Sequence, residues 1–230
     1  IDAAQRPLLM AGQGVMLGNA EQELQAFLAK SDIPVASTLL GLSAVPTSSP
    51  QYVGMLGMHG NYGPNIRNQE CDLLIAVGMR FDDRVTGNRE KFAKLAQIIH
   101  IDVDGSELSK TVNSACGLRG DVKLTLQKLI PLVSAEQKPD WEKAVKALKE
   151  TENDYLDIRP GLTPRNAIMT LNKHLGENTA VATDVGQHQM WAAQNVSFKK
   201  PRRFISSGGL GTMGFGLGAA IGAAVGTGER

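Results

Sequence analysis

The sequence has few of the residues that build disulfide-stapled folds or nucleic-acid surfaces. Only 2 of its 230 residues are cysteine, aromatic side chains make up 5% of the chain, and the formal net charge is +1. Two cysteines without metal-ligand spacing fit a reducing compartment, and we expect Cys71 and Cys116 to be buried free thiols. Because 24 basic residues balance 23 acidic ones and form no patch, nucleic acid is not expected as a partner.

The sequence also lacks a strongly apolar run of membrane-spanning length. Residues 204–228 contain no charged side chain, but nine of these 25 positions are glycine and the large apolar side chains are few. We therefore expect no membrane span. Gly214, Gly218, Gly222 and Gly226 recur at every fourth position, which predicts a helix with one bare face on which another backbone could pack closely.

What the sequence does have is an alternation of short apolar runs with helical patterns, over a length and with a 42% hydrophobic content that exclude disorder. This alternation is typical of a parallel sheet with crossover helices. Strands are predicted at residues 7–10, 33–37, 72–77, 97–103, 179–183 and 203–206. Helices are predicted from Glu21, over residues 121–133, and from the Thr163-Pro164 pair, which is a typical helix start.

The predicted fold class is therefore α/β. Residues 1–135 are expected to form a Rossmann-like central domain, a parallel sheet with helices on both faces. Residues 136–160, rich in Glu, Lys, Asp and Pro, predict a helical linker, and residues 161–230 predict a second α/β unit. Because the chain starts at Ile1 rather than Met and ends just after the glycine-rich segment, we expect a fragment whose second unit is truncated.

Glycines follow the first predicted strand, where ligands bind in open α/β sheets. Gly12 and Gly14 could present N–H groups to a phosphate, or could serve packing alone. The dinucleotide fingerprint fails, because its third glycine is replaced by Leu17 and its ribose-binding acid by Thr38. The sequence therefore disfavours a simple nicotinamide dehydrogenase.

The densest charged cluster follows the strand predicted at residues 72–77. Arg80 and Arg84 could hold a phosphate or a carboxylate in a bidentate geometry, with Asp82 and Asp83 orienting them. The alternative is a solvated, salt-bridged loop. After the next strand, Asp102 could accept hydrogen bonds from ribose or ribityl hydroxyls, or could only cap the following turn.

Two further segments are candidate contacts. Glycine at every third position of residues 54–63 predicts a loop with close backbone approach, in which His59 is either a ligand contact or a surface residue. Gly186, Gln187 and His188 follow a predicted strand and open a helix, so their N–H groups form a candidate anion site.

Taken together, the motifs resemble the catalytic large subunit of acetolactate synthase, also called acetohydroxyacid synthase, a thiamine diphosphate enzyme of branched-chain amino-acid synthesis. They are IPVASTL at 33–39, MLGMHG at 55–60, RFDDRVTG at 80–87, HIDVD at 100–104, TDVGQHQMW at 183–191 and SSGGLGTMGFGL at 206–217. Single motifs are shared with other thiamine enzymes. The combination of RFDDRVTG with MLGMHG is the specific part of the resemblance.

The resemblance implies two cofactor sites and a substrate contact. The implied FAD contacts in the central domain are Gly12, Thr38, Leu39, Met58, His59, Arg80, Asp82, Val85, Asp102, Asp121 and Val122. The diphosphate of thiamine would meet Val185, Gly186, Gln187 and His188, and its two rings would meet Gly211 and Met213. Arg84 would hold the carboxylate of the second 2-keto acid.

The resemblance also implies a cytoplasmic transferase that joins two pyruvates, or pyruvate and 2-oxobutyrate, with loss of carbon dioxide. Mg²⁺, a homodimer or higher homo-oligomer, and a regulatory small subunit are implied with it. The family's activating Glu and its Gly-Asp-Gly metal motif are not in this chain, so we expect no metal ligand here and an inactive fragment. The alternatives are a thiamine enzyme of the pyruvate oxidase or glyoxylate carboligase type, and a noncatalytic nucleotide-binding module.

Overall fold

The computed structural model describes residues 1–135, 137–151 and 160–228. Its larger sheet has six strands, all parallel, in the order β3-β2-β1-β4-β5-β6. The strands are β1 Pro7–Ala11, β2 Val35–Ser37, β3 Tyr52–Met55, β4 Leu73–Val77, β5 Gln97–Asp102 and β6 Cys116–Arg119. The predicted α/β class with a parallel sheet is confirmed.

The chain changes direction across this sheet between β1 and β4. From β1 it moves outward to β2 and β3, and it then returns to place β4, β5 and β6 on the other side of β1. The two central strands pair in register from Pro7 with Leu73 to Ala11 with Val77. A strand-order reversal of this kind opens a crevice at the carboxyl ends of the strands, where α/β proteins bind ligands.

Helices cover both faces of this sheet. They are α1 Gly14–Leu17, α2 Glu21–Ser31, α3 Tyr62–Glu70, α4 Asp83–Thr86, α5 Val122–Leu129 and α6 Pro139–Thr151. Successive side chains of β1 point to opposite faces, so Leu9 packs with Leu24 and Leu126 on one side, while Leu8 packs with Trp141 on the other. Because the central strands are buried on both faces, their sequences are continuous apolar runs.

The structure departs from the sequence predictions at the sheet edges. β3 and β6 were not predicted: β3 has only four residues and is interrupted by Gly54, and β6 is largely exposed, so neither has the continuous apolar run of a central strand. The expectation that both cysteines are buried is wrong for Cys116, which is exposed on β6, and confirmed for Cys71. The glycine-rich loop of residues 54–63 runs from β3 into α3.

Helix α6 occupies much of the predicted linker and packs on the first unit, which contains the larger sheet of residues 1–135. The Trp141 indole N–H donates to the Pro7 carbonyl at 2.8 Å, and the Arg67 guanidinium of α3 lies 5.5 Å from the centre of the Trp141 ring. Residue 136 and residues 152–159 of the linker lie outside the described residues. The boundaries proposed between the domains stay a prediction.

The second unit is a two-stranded parallel sheet with three helices. The strands are β7 Val181–Thr183 and β8 Phe204–Ser206, and the helices are α7 Pro164–Asn172, α8 Gln187–Asn195 and α9 Phe215–Thr227. The Thr163 hydroxyl caps α7 by accepting from the Asn166 N–H, which confirms the predicted helix start. Ala192, Val196 and Phe198 pack against Leu42 and Met55, so an apolar cluster joins the two units.

Helix α9 has the predicted glycine face, but in the part of the chain that the structure describes no other backbone packs closely on Gly218, Gly222 or Gly226. A methyl group placed on Gly218, Gly222 or Gly226 would meet no atom within 4 Å in the described structure. The close approach occurs at Gly216 instead, where a Cβ would lie 2.6 Å from the Asp184 backbone nitrogen. Within the residues described, no helix combines the length and the apolar character needed to cross a membrane.

Candidate functional site

A cavity of about 1230 Å³ lies at the carboxyl ends of the larger sheet. The loops that follow all six strands of this sheet contribute to its walls, and the second unit contributes the segment after β7, part of α8 and residues 207–211. The strand-order reversal between β1 and β4 lies at its base. The cavity is therefore where the topology predicts a ligand site.

Glycines let the loops after β1 and β4 touch at the base of this cavity. The Gly14 N–H donates to the Gly78 carbonyl at 2.8 Å. A Cβ on Gly12 would lie 2.3 Å from the Gly78 oxygen and from the Cβ of Met79, so only glycine fits there. Gly14 lines the cavity, whereas Gly12 does not. Packing alone therefore accounts for Gly12, and its contact with FAD stays a prediction.

The charged loop after β4 brings both arginines to the cavity. The Asp82 carboxylate caps α4 by accepting from the Arg84 N–H at 2.8 Å, and it lies 3.5 Å from the Arg80 guanidinium. The Met58 N–H donates to the Arg84 carbonyl at 2.7 Å, which joins this loop to the loop after β3. An exposed ion pair of this length contributes little stability, so the Arg80 guanidinium is available to an anion.

The position of Asp102 is compatible with both roles that the sequence left open. Its Oδ1 accepts from the Asp104 N–H at 2.9 Å, which caps the turn after β5, and its side chain also lines the cavity. Asp121 likewise caps α5, because its carboxylate accepts from the Leu124 N–H at 2.9 Å. Hydrogen bonds from the Ser106 hydroxyl and N–H lower the pKa of Asp104, which also lines the cavity. This end of the cavity therefore presents carboxylate oxygens.

In the second unit, Asp184 joins the starts of two helices. Its carboxylate accepts from the N–H groups of Val185 at 2.7 Å, Gly214 at 2.9 Å and Gly216 at 3.3 Å. The bonds from Val185 and Gly214 are the largest causes that lower the pKa of this carboxyl group. The segment before α8 is thereby tied to the start of α9. Asp184 stands within one of the sequence motifs, but no role was predicted for it.

The residues of the predicted anion site lie at the start of α8. Gly186 precedes the helix with a φ of 149°, a conformation that side chains disfavour. The first N–H groups of a helix have no partner within it, so those near Gln187 and His188 can receive an anion. Gln189 is held by the bond from its Nε2 to the Ser206 hydroxyl at 2.6 Å, and that hydroxyl lies 2.8 Å from the Thr183 hydroxyl.

The structure brings most of the predicted site residues to one cavity. From the first unit its walls include Thr38, Leu39, Met58, His59, Arg80, Asp82, Arg84, Val85, Asp102, Asp121 and Val122, and from the second unit Val185 and Gly211. Gly12, Gly186, Gln187, His188 and Met213 are not among the residues that line it. Met213 is 81% exposed and belongs to none of the described apolar clusters, so it does not fill a core gap within the described structure.

Several residues of the cavity wall were not predicted from the sequence. Gln13 and Leu40 stand next to residues that were predicted, Ser207 directly follows a predicted strand, and Gln189 and Met190 directly follow the predicted anion site. Their only signal was proximity to a strand end or a helix start. Whether such a neighbour faces a ligand depends on the local turn of the backbone, which the motifs do not specify.

Known proteins are similar in sequence to nearly the whole chain. Residues 1–129 match the central domain of thiamine pyrophosphate enzymes, and residues 184–230 match their C-terminal TPP binding domain. The large subunit of acetolactate synthase isozyme 2 from Escherichia coli (strain K12) is 45% identical over 228 residues, 96% of this chain and 40% of that protein. The chloroplastic acetolactate synthase of Arabidopsis thaliana is 43% identical over 232 residues, 98% of this chain and 34% of that protein.

A similar relationship holds for the acetolactate synthase large subunit of Buchnera aphidicola subsp. Acyrthosiphon pisum, which is 42% identical over 224 residues. The chain spans about two-fifths of the length of this relative and of the E. coli protein. The resemblance to acetolactate synthase large subunits is thereby confirmed. The chain belongs to the thiamine pyrophosphate enzyme family.

Proposed function

We propose that this chain is the central and thiamine-binding part of an acetolactate synthase large subunit, a cytoplasmic transferase of branched-chain amino-acid synthesis. The reaction joins two pyruvates, or pyruvate and 2-oxobutyrate, with loss of carbon dioxide. The main support for this proposal is the 45% identity with an acetolactate synthase large subunit across 96% of the chain. The cavity supports the proposal, because its walls combine the Arg80–Gly87 motif with the motifs of the second unit.

FAD is the ligand that we propose for the larger part of the cavity. A volume of about 1230 Å³ suits a dinucleotide, since common small-molecule pockets range over roughly 300–1,000 Å³. The Arg80 guanidinium can pair with a phosphate, and the Asp102 carboxylate can accept from ribose or ribityl hydroxyls. Apolar side chains of Leu39, Met58 and Val85 on the same walls can contact an aromatic ring. The chemistry of these walls therefore fits the proposed cofactor.

Thiamine diphosphate is proposed to bind at the second unit. When bound, it supplies the nucleophilic carbon for decarboxylation of a 2-keto acid. The N–H groups at the start of α8 suit its diphosphate, and Asp184 holds the segment before them against the start of α9. The exposed Met213 side chain would offer a flexible apolar contact to the thiamine rings, together with Gly211 two residues before it. Mg²⁺ is proposed to be held by residues outside this chain.

Arg84 is proposed to bind the carboxylate of the second 2-keto acid. Its backbone is fixed by bonds to Asp82 and Met58, while its side chain lies on the cavity wall. A charge-assisted hydrogen bond of this kind contributes about 1.5–3 kcal/mol. We therefore assign to Arg84 the choice and orientation of the second substrate rather than the first decarboxylation.

The proposed partners follow from the names of the relatives. The E. coli and Buchnera relatives are called large subunits, which supports a regulatory small subunit for the longer protein. A homodimer or higher homo-oligomer is proposed with it.

The deciding experiment uses the full-length protein with thiamine diphosphate, Mg²⁺ and FAD. We expect acetolactate from pyruvate, a mixed product when 2-oxobutyrate is added, and no turnover by the 230-residue chain alone. Hydrogen peroxide production would indicate an oxidase, and glyoxylate condensation would indicate a carboligase; either one without acetolactate overturns the proposal. Saturable flavin binding without any condensation would instead support a noncatalytic nucleotide-binding module.

A further inference from the structure

His100 is a buried polar residue that the proposed reaction does not use. It lies in β5 with an exposed fraction of 0%, and its Nε2 atom is 2.8 Å from the Met79 carbonyl oxygen. A carbonyl oxygen only accepts, so the ring carries a proton on Nε2 and donates it to Met79. The Phe81 ring packs against the imidazole edge to face, with ring centres 5.0 Å apart. These two contacts hold the orientation of the imidazole.

The bond from His100 is one of three that fix the backbone leading to Arg80. The Gly78 N–H donates to the Ile101 carbonyl at 2.8 Å, and the Gly78 carbonyl accepts from the Gly14 N–H at 2.8 Å. The Met79 carbonyl, which belongs to the peptide unit joined to Arg80, accepts from His100. Of the three donors, only His100 uses a side chain, so a substitution can remove that bond without changing the backbone.

The same ring nitrogen also faces a second group of the cavity wall. Asp102 lies two residues further along β5, and its Oδ2 is 3.9 Å from His100 Nε2. This distance is too long for a hydrogen bond, but the N–H dipole still acts on the carboxylate. His100 therefore stands behind both Arg80, in the loop after β4, and Asp102, at the end of the neighbouring strand β5, and both of these residues line the cavity.

We propose that His100 is a positioning residue for the flavin site: by fixing the Met79 carbonyl, it sets the direction in which Arg80 enters the cavity beside Asp102. The inference rests on the proposed function for the identity of the ligand. A purely structural role, in which His100 only satisfies a buried carbonyl, would change stability without changing the affinity for FAD.

Two amide substitutions in the full-length protein separate these roles. The Nε2 of glutamine occupies the place of the histidine Nε2 along the side chain, whereas the amide of asparagine reaches only as far as Nδ1. We expect His100→Asn to weaken FAD binding about tenfold and His100→Gln to stay within about twofold, as measured by flavin fluorescence titration of apoprotein. Ile98→Val, in the apolar cluster on the same strand, is the matched control and should leave the dissociation constant unchanged.

A double-mutant cycle with Arg80→Ala tests whether His100 acts through Arg80. If it does, His100→Asn costs little further affinity once Arg80 is removed. Equal FAD affinities of the Asn and Gln variants, or full additivity with Arg80→Ala, would overturn the inference while leaving the proposed function intact. Should the Asn variant not fold, a tenfold loss in a folded Gln variant refutes the inference by itself. Failure of the unsubstituted protein to bind FAD would overturn the proposed cofactor, and this inference with it.

Discussion

Replacing Gly216 by alanine tests the contact that holds the start of α9 against the second sheet. The added Cβ would lie 2.6 Å from the Asp184 nitrogen and 3.0 Å from the Asp184 Cα and the Thr183 carbonyl carbon. All three are backbone atoms, so no side chain can rotate to make room. The helix must shift, which lengthens the bond that the Asp184 carboxylate accepts from the Gly216 N–H at 3.3 Å.

Gly218→Ala on the same helix provides the matched control, because its added Cβ would meet no atom within 4 Å in the described structure. Alanine in place of glycine inside a helix stabilises it by about 0.5–1 kcal/mol. The Gly216 variant receives at most the same gain, against an overpacking cost of about 1–3 kcal/mol. We therefore expect Gly218→Ala to raise the free energy of unfolding. The free energy of unfolding of the Gly216→Ala variant should be lower than that of the Gly218→Ala variant by about 1–3 kcal/mol.

Urea unfolding of the 230-residue chain, followed by circular dichroism, measures both variants. The urea concentrations at the midpoint of unfolding should differ between the two variants, and that of the Gly218 variant should be higher than that of the unsubstituted chain. Equal shifts for the two variants would show that Gly216 of α9 does not pack closely on the Asp184 backbone.

Three further measurements check other contacts. Backbone N–H groups lower the pKa of Asp184, so its contribution to stability is present above the ordinary carboxyl pKa and is lost as pH falls through the lowered value. The difference in melting temperature between the unsubstituted chain and Asp184→Ala should therefore shrink as the pH falls below the ordinary carboxyl pKa, and a constant difference contradicts this. Burial raises the pKa of Cys71 to about 12, so a thiol reagent should label only Cys116 in the native chain. Labelling of a folded Cys116→Ser variant would refute the burial of Cys71. Trp141→Phe removes the 2.8 Å hydrogen bond to the Pro7 carbonyl and should lower the free energy of unfolding, measured by urea unfolding, by about 1–3 kcal/mol. An unchanged free energy would show that this bond is dispensable.

The central strands could be predicted from the sequence because burial on both faces leaves a local pattern. β1 and β4 are buried at every residue, and both appear in the sequence as unbroken apolar runs. The edge strands β3 and β6 have no such run, because Gly54 interrupts the apolar residues of β3 and β6 is largely exposed, so they appear only in the structure. An edge strand restricts the residue types in its sequence less than a central strand that is buried on both faces.

The motifs of the site were also visible in the sequence, since a cofactor site depends on residue types at fixed local spacing. The combination of the segments from Arg80 to Gly87 and from Met55 to Gly60 was the specific part of the resemblance to the family, which the comparisons confirm. The position of Asp102 in the sequence also indicated that it could cap a turn, because an acid at the end of a strand is placed to accept from the N–H groups of the next residues.

By itself, the sequence determined the α/β class, the central strands and the family, because each of these depends on patterns within a few neighbouring residues. Only the tertiary structure decided that Gly12 packs on the Gly78 loop, that Asp184 accepts from Gly214 thirty residues away, and that His100 donates to the Met79 carbonyl. These contacts join residues that are distant in the chain and meet only when the strands take their places in the sheets. No local spacing encodes them, since the geometry that creates them is that of the whole fold.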